Sequence, residues 1–255
     1  MVQTGPLSGL VAQVGLLAAL AGTVGVGAAG WAAGVGWTLT LTVVLAGAVV
    51  RHGRDRLGPA DWVTLARATL AGGVAALVAD SIIAGTSVPT ARTWMLVGLA
   101  ALALVLDGVD GRVARWTGTS SELGARFDME VDAFLILVLS VLVAGSFGAW
   151  VLAIGLARYA FVSLGRLQPW LRASSPPRYW CKVVAVVQGV VLTAAAAQVL
   201  PHLVATLALL VALALLVESF GRQVCWLWLH RYDRRYEPVE RVEPLVVVPV
   251  LAERS

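Results

Sequence analysis

Lysine is almost missing from this chain: Lys182 is the only one in 255 residues. Acidic and basic residues together make up 13% of the sequence, where soluble domains carry roughly a quarter. The net charge of +4 comes from arginine, and no basic run is interleaved with aromatics, so nucleic acid is not an expected partner. Cysteine is scarce too. Cys181 and Cys225 stand alone, without metal-ligand spacing, and no disulfide is expected. His52, His202 and His230 are scattered and read as structural or interfacial side chains rather than ligands. The opening MVQTGPLSG lacks the basic stretch of a signal peptide, so no cleavage is expected.

What fills the chain instead is apolar. Hydrophobic residues reach 59%, and the mean hydropathy is +0.83. A helix needs about 20 mostly apolar residues to cross the hydrocarbon of a bilayer. About eight stretches meet that need. They run over 7–27, 31–50, 62–84, 94–114, 123–144, 149–167, 179–200 and 203–228. The expected fold is all-α, a polytopic transmembrane helical bundle, with membrane lipids as its surroundings. Gly25, Gly27 and Gly30 spell GxGxxG, but they lie in or beside a membrane segment. Close helix packing through small residues is the expected use, not dinucleotide binding.

Arginine alternates between the loops. Arg51, Arg54 and Arg56 fall in one connection, Arg112, Arg115 and Arg126 near the next, and Arg166, Arg172 and Arg178 near a third. The intervening connections hold only Arg92. The positive-inside rule puts the basic connections, and both termini, in the cytoplasm.

One stretch breaks the apolar pattern: LDGVDGRVARWTGTSSELGARFDMEVDA, residues 106–133. Asp107 and Asp110 are three apart and share a helix face, and Asp128 and Asp132, four apart, share another. Thr119 and Glu122 have the spacing of a capping box that would start the second helix. A helical hairpin would gather four carboxylates just inside the cytoplasmic boundary. Ionised carboxylates cannot cluster in a low dielectric without compensation. Arg112, Arg115 and Arg126 could supply it as a salt-bridged cluster. A divalent cation could supply it as well, and all-oxygen ligands favour Mg²⁺, Mn²⁺ or Ca²⁺ over zinc. Ionisable groups inside spans point by default to a functional site.

The same stretch resembles the signature of the CDP-alcohol phosphatidyltransferase family, D-x2-D-G-x2-A-R-x8-G-x3-D-x3-D. The matching residues are Asp107, Asp110, Gly111, Ala114, Arg115, Gly124, Asp128 and Asp132. The resemblance implies transfer of a phosphatidyl, or similar substituted phosphate, group from a CDP-linked lipid donor to an acceptor alcohol, with release of CMP. It implies that Asp107, Asp110, Asp128 and Asp132 hold Mg²⁺ or Mn²⁺ and that Asp132 is the catalytic base. Gly111, Ala114, Arg115 and Gly124 would take the CDP moiety. A homodimer is compatible with it.

Further residues follow from the same resemblance. PADWVTLAR is similar to the family's P-N-x2-T-x2-R, with Asp61 in place of Asn, and implies that Thr64 and Arg67 help hold the nucleotide. Boundary polarity, with Arg67 snorkelling, is the alternative. Arg158, Arg178 and Lys182 are candidate acceptor-binding residues, with Gln188 nearby, and a basic pocket would suit a phosphorylated polyol. Positive-inside charge alone also explains them. Residues 1–50 then form two added spans, 51–230 a six-helix catalytic domain and 231–255 a cytoplasmic tail. The expected function is phospholipid synthesis in the cell membrane, with the active site at the cytoplasmic face. The competing reading is a non-catalytic membrane protein or transporter with a divalent-metal site.

Overall fold

A computed structural model describes residues 4–52, 59–85, 90–117, 122–168, 170 and 179–229. Side chains at 4–7, 44–52, 59–61, 84, 109–117, 122–123, 125–126 and 179 fall outside that description. The described residues form eight α-helices and no strand. These are α1 (Thr4–Thr23), α2 (Ala28–His52), α3 (Pro59–Ala84), α4 (Thr90–Thr117), α5 (Glu122–Phe147), α6 (Leu152–Leu167), α7 (Tyr179–Ala196) and α8 (His202–Leu229). Each of the expected spans coincides with one of them within a few residues. A 3-10 turn, Ala149–Val151, leads into α6. In a bilayer every backbone N–H and C=O must be satisfied within its own segment, and helices do that.

Among the described residues, five stretches are long and apolar enough to cross a membrane: Trp62–Ile83, Thr90–Gly108, Phe127–Phe147, Ala149–Leu167 and His202–Leu229. Ser8–Thr23 and Trp180–Ala196 are shorter apolar helices. The Thr119 end of the expected capping box lies outside the described residues, and α5 begins at Glu122.

The bundle is built around α3. About two thirds of its apolar stretch (67%) is buried inside the protein, against 22% for the stretches in α4 and α6. It packs on α1, α2, α4 and α5. Small residues allow this, because Ala68, Ala71, Ala75 and Ala76 keep its surface close to the axis. Gly30 of α2 shows how close the approach is. A Cβ there would stand 2.8 Å from the Ala76 carbonyl oxygen of α3, so only glycine fits. The leucines Leu17, Leu77, Leu96, Leu139, Leu192 and Leu209 fill the remaining space between helices. Val11, Ile83, Val105, Leu203 and Val217 face outward, as they would toward lipid.

At one end of the bundle, Asp80 of α3 and Arg92 of α4 pair at 3.1 Å. Asp80 also accepts the Gly27 N–H at 3.0 Å, and Arg92 donates to the Gly25 carbonyl at 2.6 Å. Gly25 adopts φ +72, which glycine takes without strain. The GxGxxG glycines therefore serve the α1–α2 turn and its packing. The acidic stretch lies at the opposite end.

Candidate active site

Arg67 sits two turns into α3 and is 1% exposed. A guanidinium at that depth is costly unless it is paired. Three carboxylates pair with it. Its Nη2 lies 2.9 Å from Asp107 on α4. Nη2 also donates to Asp132, and Nη1 to Asp128, both on α5. Its Nε donates to the Ala103 carbonyl of α4 at 3.3 Å. The planar fork of arginine holds its N–H donors in fixed directions and serves several acceptors at once.

Helical spacing sets the rest. Asp128 and Asp132 are one turn apart on α5, and Asp107 approaches from α4. Their carboxylate oxygens can all lie within 4.8 Å of one another. Each acid is a quarter to a third exposed, so the cluster is open on one side. One guanidinium carries a single positive charge against three carboxyls. The all-oxygen donor set fits a hard divalent cation.

The sequence-derived candidates divide into three groups. Asp107, Asp128 and Asp132 are brought together, and Arg67 joins them. Thr64 is buried one turn before Arg67, and Gly124 is half-buried in the first turn of α5, one turn before Asp128. Asp110, Gly111, Ala114 and Arg115 continue α4 beyond Asp107, but their side chains lie outside the described residues. Asp61, Arg112 and Arg126 are in the same position, and Arg178 lies outside the described residues altogether.

Of the acceptor candidates, Lys182 stands within electrostatic reach of Asp107, and Arg158 pairs outside the cluster. Arg158 of α6 donates to Glu130 of α5 at 2.8 Å. Glu130 is two residues from both Asp128 and Asp132, so it points about 200° away from each around the helix. That pair therefore does not bring Arg158 into the carboxylate cluster. Lys182 is exposed near the start of α7. Gln188 is 1% exposed, and its amide donates to the Ala212 carbonyl of α8 at 2.7 Å, so it fastens α7 to α8. Within α8, Glu218 and Arg222, four apart, form an ion pair. Glu218 also accepts the Trp180 indole N–H at 2.9 Å.

Sequence reasoning placed Arg67 with the nucleotide and did not put it among the acids. The available signal was its place in the sequence: an arginine in the middle of the apolar run PADWVTLARATLAGG needs an acidic partner, but the run does not say which acid that is.

No curated protein and no solved structure matches the chain closely enough to count as a relative. A family model does match, described as CDP-alcohol phosphatidyltransferase, over residues 57–218. That range takes in α3 to α7 and most of α8, and with them Arg67 and all three clustered acids. The helices that hold the carboxylates and the guanidinium thus fall within the matched region, and the chain belongs to the CDP-alcohol phosphatidyltransferase family.

Proposed function

We propose that this protein transfers a phosphatidyl (substituted phosphate) group from a CDP-linked lipid donor to an acceptor alcohol, releasing CMP, in phospholipid synthesis. The observation that carries the reading is the convergence of Asp107, Asp128 and Asp132 on Arg67 inside a membrane bundle. Family membership supplies the reaction class.

The chemistry follows from the residues. The acceptor hydroxyl attacks the phosphorus that bears the lipid, a new P–O bond forms, and the bond to CMP breaks. Asp132 takes the hydroxyl proton, because a carboxylate within hydrogen-bond reach can do so. The departing CMP carries the electron pair as phosphate charge, and Arg67 is placed to offset negative charge beside the acids. Asp107, Asp128 and, from the signature, Asp110 would hold Mg²⁺ or Mn²⁺. When bound, that ion neutralises the diphosphate and polarises its oxygens. Gly111, Ala114, Arg115, Gly124 and Thr64 would line the CDP moiety. Arg178, Lys182 and Arg158 remain acceptor candidates, Arg158 with Glu130 as its ion-pair partner. The cluster lies near one end of the apolar stretches, so a lipid tail can stay in the bilayer while CMP leaves to water. We place that end in the cytoplasm, with residues 51–230 as the catalytic domain and 231–255 as the tail.

Membranes containing the protein should release CMP from labelled CDP-diacylglycerol when given a panel of free and phosphorylated alcohols. Activity should vanish with EDTA and return with Mg²⁺ or Mn²⁺. Full activity in EDTA would leave the acids as a salt-bridged cluster and no more. Failure to release CMP with any alcohol of the panel would favour the transporter reading.

Orientation has its own test. Single cysteines placed at 54, 119 and 174 in a cysteine-free variant should be protected from an impermeant reagent applied outside the cell. Labelling at 119 from outside would overturn both the orientation and the use of cytoplasmic CDP donors.

A further inference from the structure

The helices α1 and α2 precede residue 57, where the family match begins. They nonetheless pack on α3, the helix that carries Arg67. One side chain of α2 touches both halves of the candidate site. The Trp37 ring lies flat on Phe134 of α5, with centroids 3.5 Å apart and planes 4° apart. Its indole N–H donates to the Ala68 carbonyl of α3 at 2.9 Å. Ala68 follows Arg67 directly, and Phe134 is two residues beyond Asp132. An indole N–H in an apolar interior needs an acceptor, so the bond to Ala68 fixes the ring's orientation. The stack then fixes α5 against that ring.

We propose that Trp37 is a positioning residue for the transfer reaction. It sets how far Arg67 on α3 stands from Asp128 and Asp132 on α5, and so makes the N-terminal hairpin part of the working site. This rests on the reading of those residues given under Proposed function. The carboxylates and Arg67 come from three different helices, so their spacing is only as exact as the packing between helices. Displacing a reacting group by about 1 Å can cost on the order of 10²-fold in rate. Residues that orient metal ligands without touching the metal typically carry roughly 10- to 100-fold of affinity or activity.

Two variants separate the two contacts. Trp37→Phe keeps a ring to stack on Phe134 and loses the N–H donor. Trp37→Leu loses both. Mn²⁺ binding to the purified, detergent-solubilised protein is read by electron paramagnetic resonance, and kcat by CMP release. Trp37→Leu is expected to weaken Mn²⁺ binding and lower kcat by roughly 10- to 100-fold. Trp37→Phe should recover most of both. Helix content and elution volume should match wild type, so a general loss of fold would not produce the graded pattern. Phe134→Leu removes the same stack from the other side and should reproduce the loss, which keeps the test open if Trp37→Leu fails to fold. Folded Trp37→Leu or Phe134→Leu protein with wild-type Mn²⁺ binding and kcat would overturn the proposal. If wild type binds Mn²⁺ but releases no CMP, the activity reading fails and the Mn²⁺ series still decides the role of Trp37. Wild type that does neither overturns both.

Discussion

Replacing Asp132 with asparagine is expected to lower turnover by about 10²- to 10⁴-fold, the range a positioned base contributes, while binding of the CDP donor changes little. Asp132 is one helical turn further into α5 than Asp128, on the same face, and both reach the same guanidinium through different nitrogens. The two acids are therefore neighbours with different surroundings. Asp107 and Asp128 can supply metal oxygens from α4 and α5, with phosphate oxygens and water completing the shell. Asp132 can then face the acceptor beside the diphosphate. Asparagine keeps the size and an oxygen, but it cannot take a proton. Asp128→Asn should instead weaken donor binding and turnover together. The measurement is donor binding with Mg²⁺ present, set beside single-turnover CMP release, for both variants. If Asp132→Asn abolishes donor binding as completely as Asp128→Asn, Asp132 is chiefly a ligand and the base lies elsewhere.

Removing the guanidinium should have the other large effect. Arg67→Met keeps the length and apolar stem of the side chain and removes the guanidinium that three neighbouring carboxylates share. Breaking a fully buried pair costs about 3–5 kcal/mol. Here the acids are a quarter to a third exposed, and solvent screening brings the expected loss to about 3 kcal/mol or less. Turnover should fall to background, because the guanidinium that offsets negative charge beside the acids is gone. The informative measurement is the thermal midpoint with and without Mg²⁺. A divalent cation that binds only the folded protein raises its stability according to its affinity. In Arg67→Met that cation no longer shares the carboxylates with a guanidinium, so Mg²⁺ should raise the midpoint more than it does in wild type. Arg67→Lys should fall between the two, since an ammonium keeps the charge but not the fork. A midpoint and turnover unchanged in Arg67→Met would show that the cluster does not depend on Arg67.

Helix positions were legible because their cause is local. A run such as Trp62–Ile83 has no polar alternative to an apolar helix, and Gly85 and Gly148, both at positive φ, mark where helices stop. The charge pattern of 106–133 was equally local. Residues four apart on a helix share a face whatever the tertiary structure, so the proximity of Asp128 and Asp132 follows from spacing alone. The α4–α5 hairpin, read from the short turn between them, then brings Asp107 near.

Other features depended on which helix lies beside which. Arg67 is 61 residues from Asp128 and 65 from Asp132, and nothing in its own segment points to them. Arg158 looked like part of a basic pocket by charge alone, but the packing of α6 on α5 gives it to Glu130. Gln188 stood out only as a neighbour of the basic acceptor candidates, and the packing of α7 on α8 makes it a helix fastener. The two N-terminal helices read as an addition, yet Trp37 reaches α3 and α5 at once. By itself the sequence determined an all-helical membrane chain with paired acids at fixed spacing, because helix periodicity and hydrophobicity act over a few turns. Only the tertiary structure decided that a small-residue helix, α3, would take the centre and carry Arg67 in among the acids, because partners in a bundle are chosen by the packing of whole helix faces.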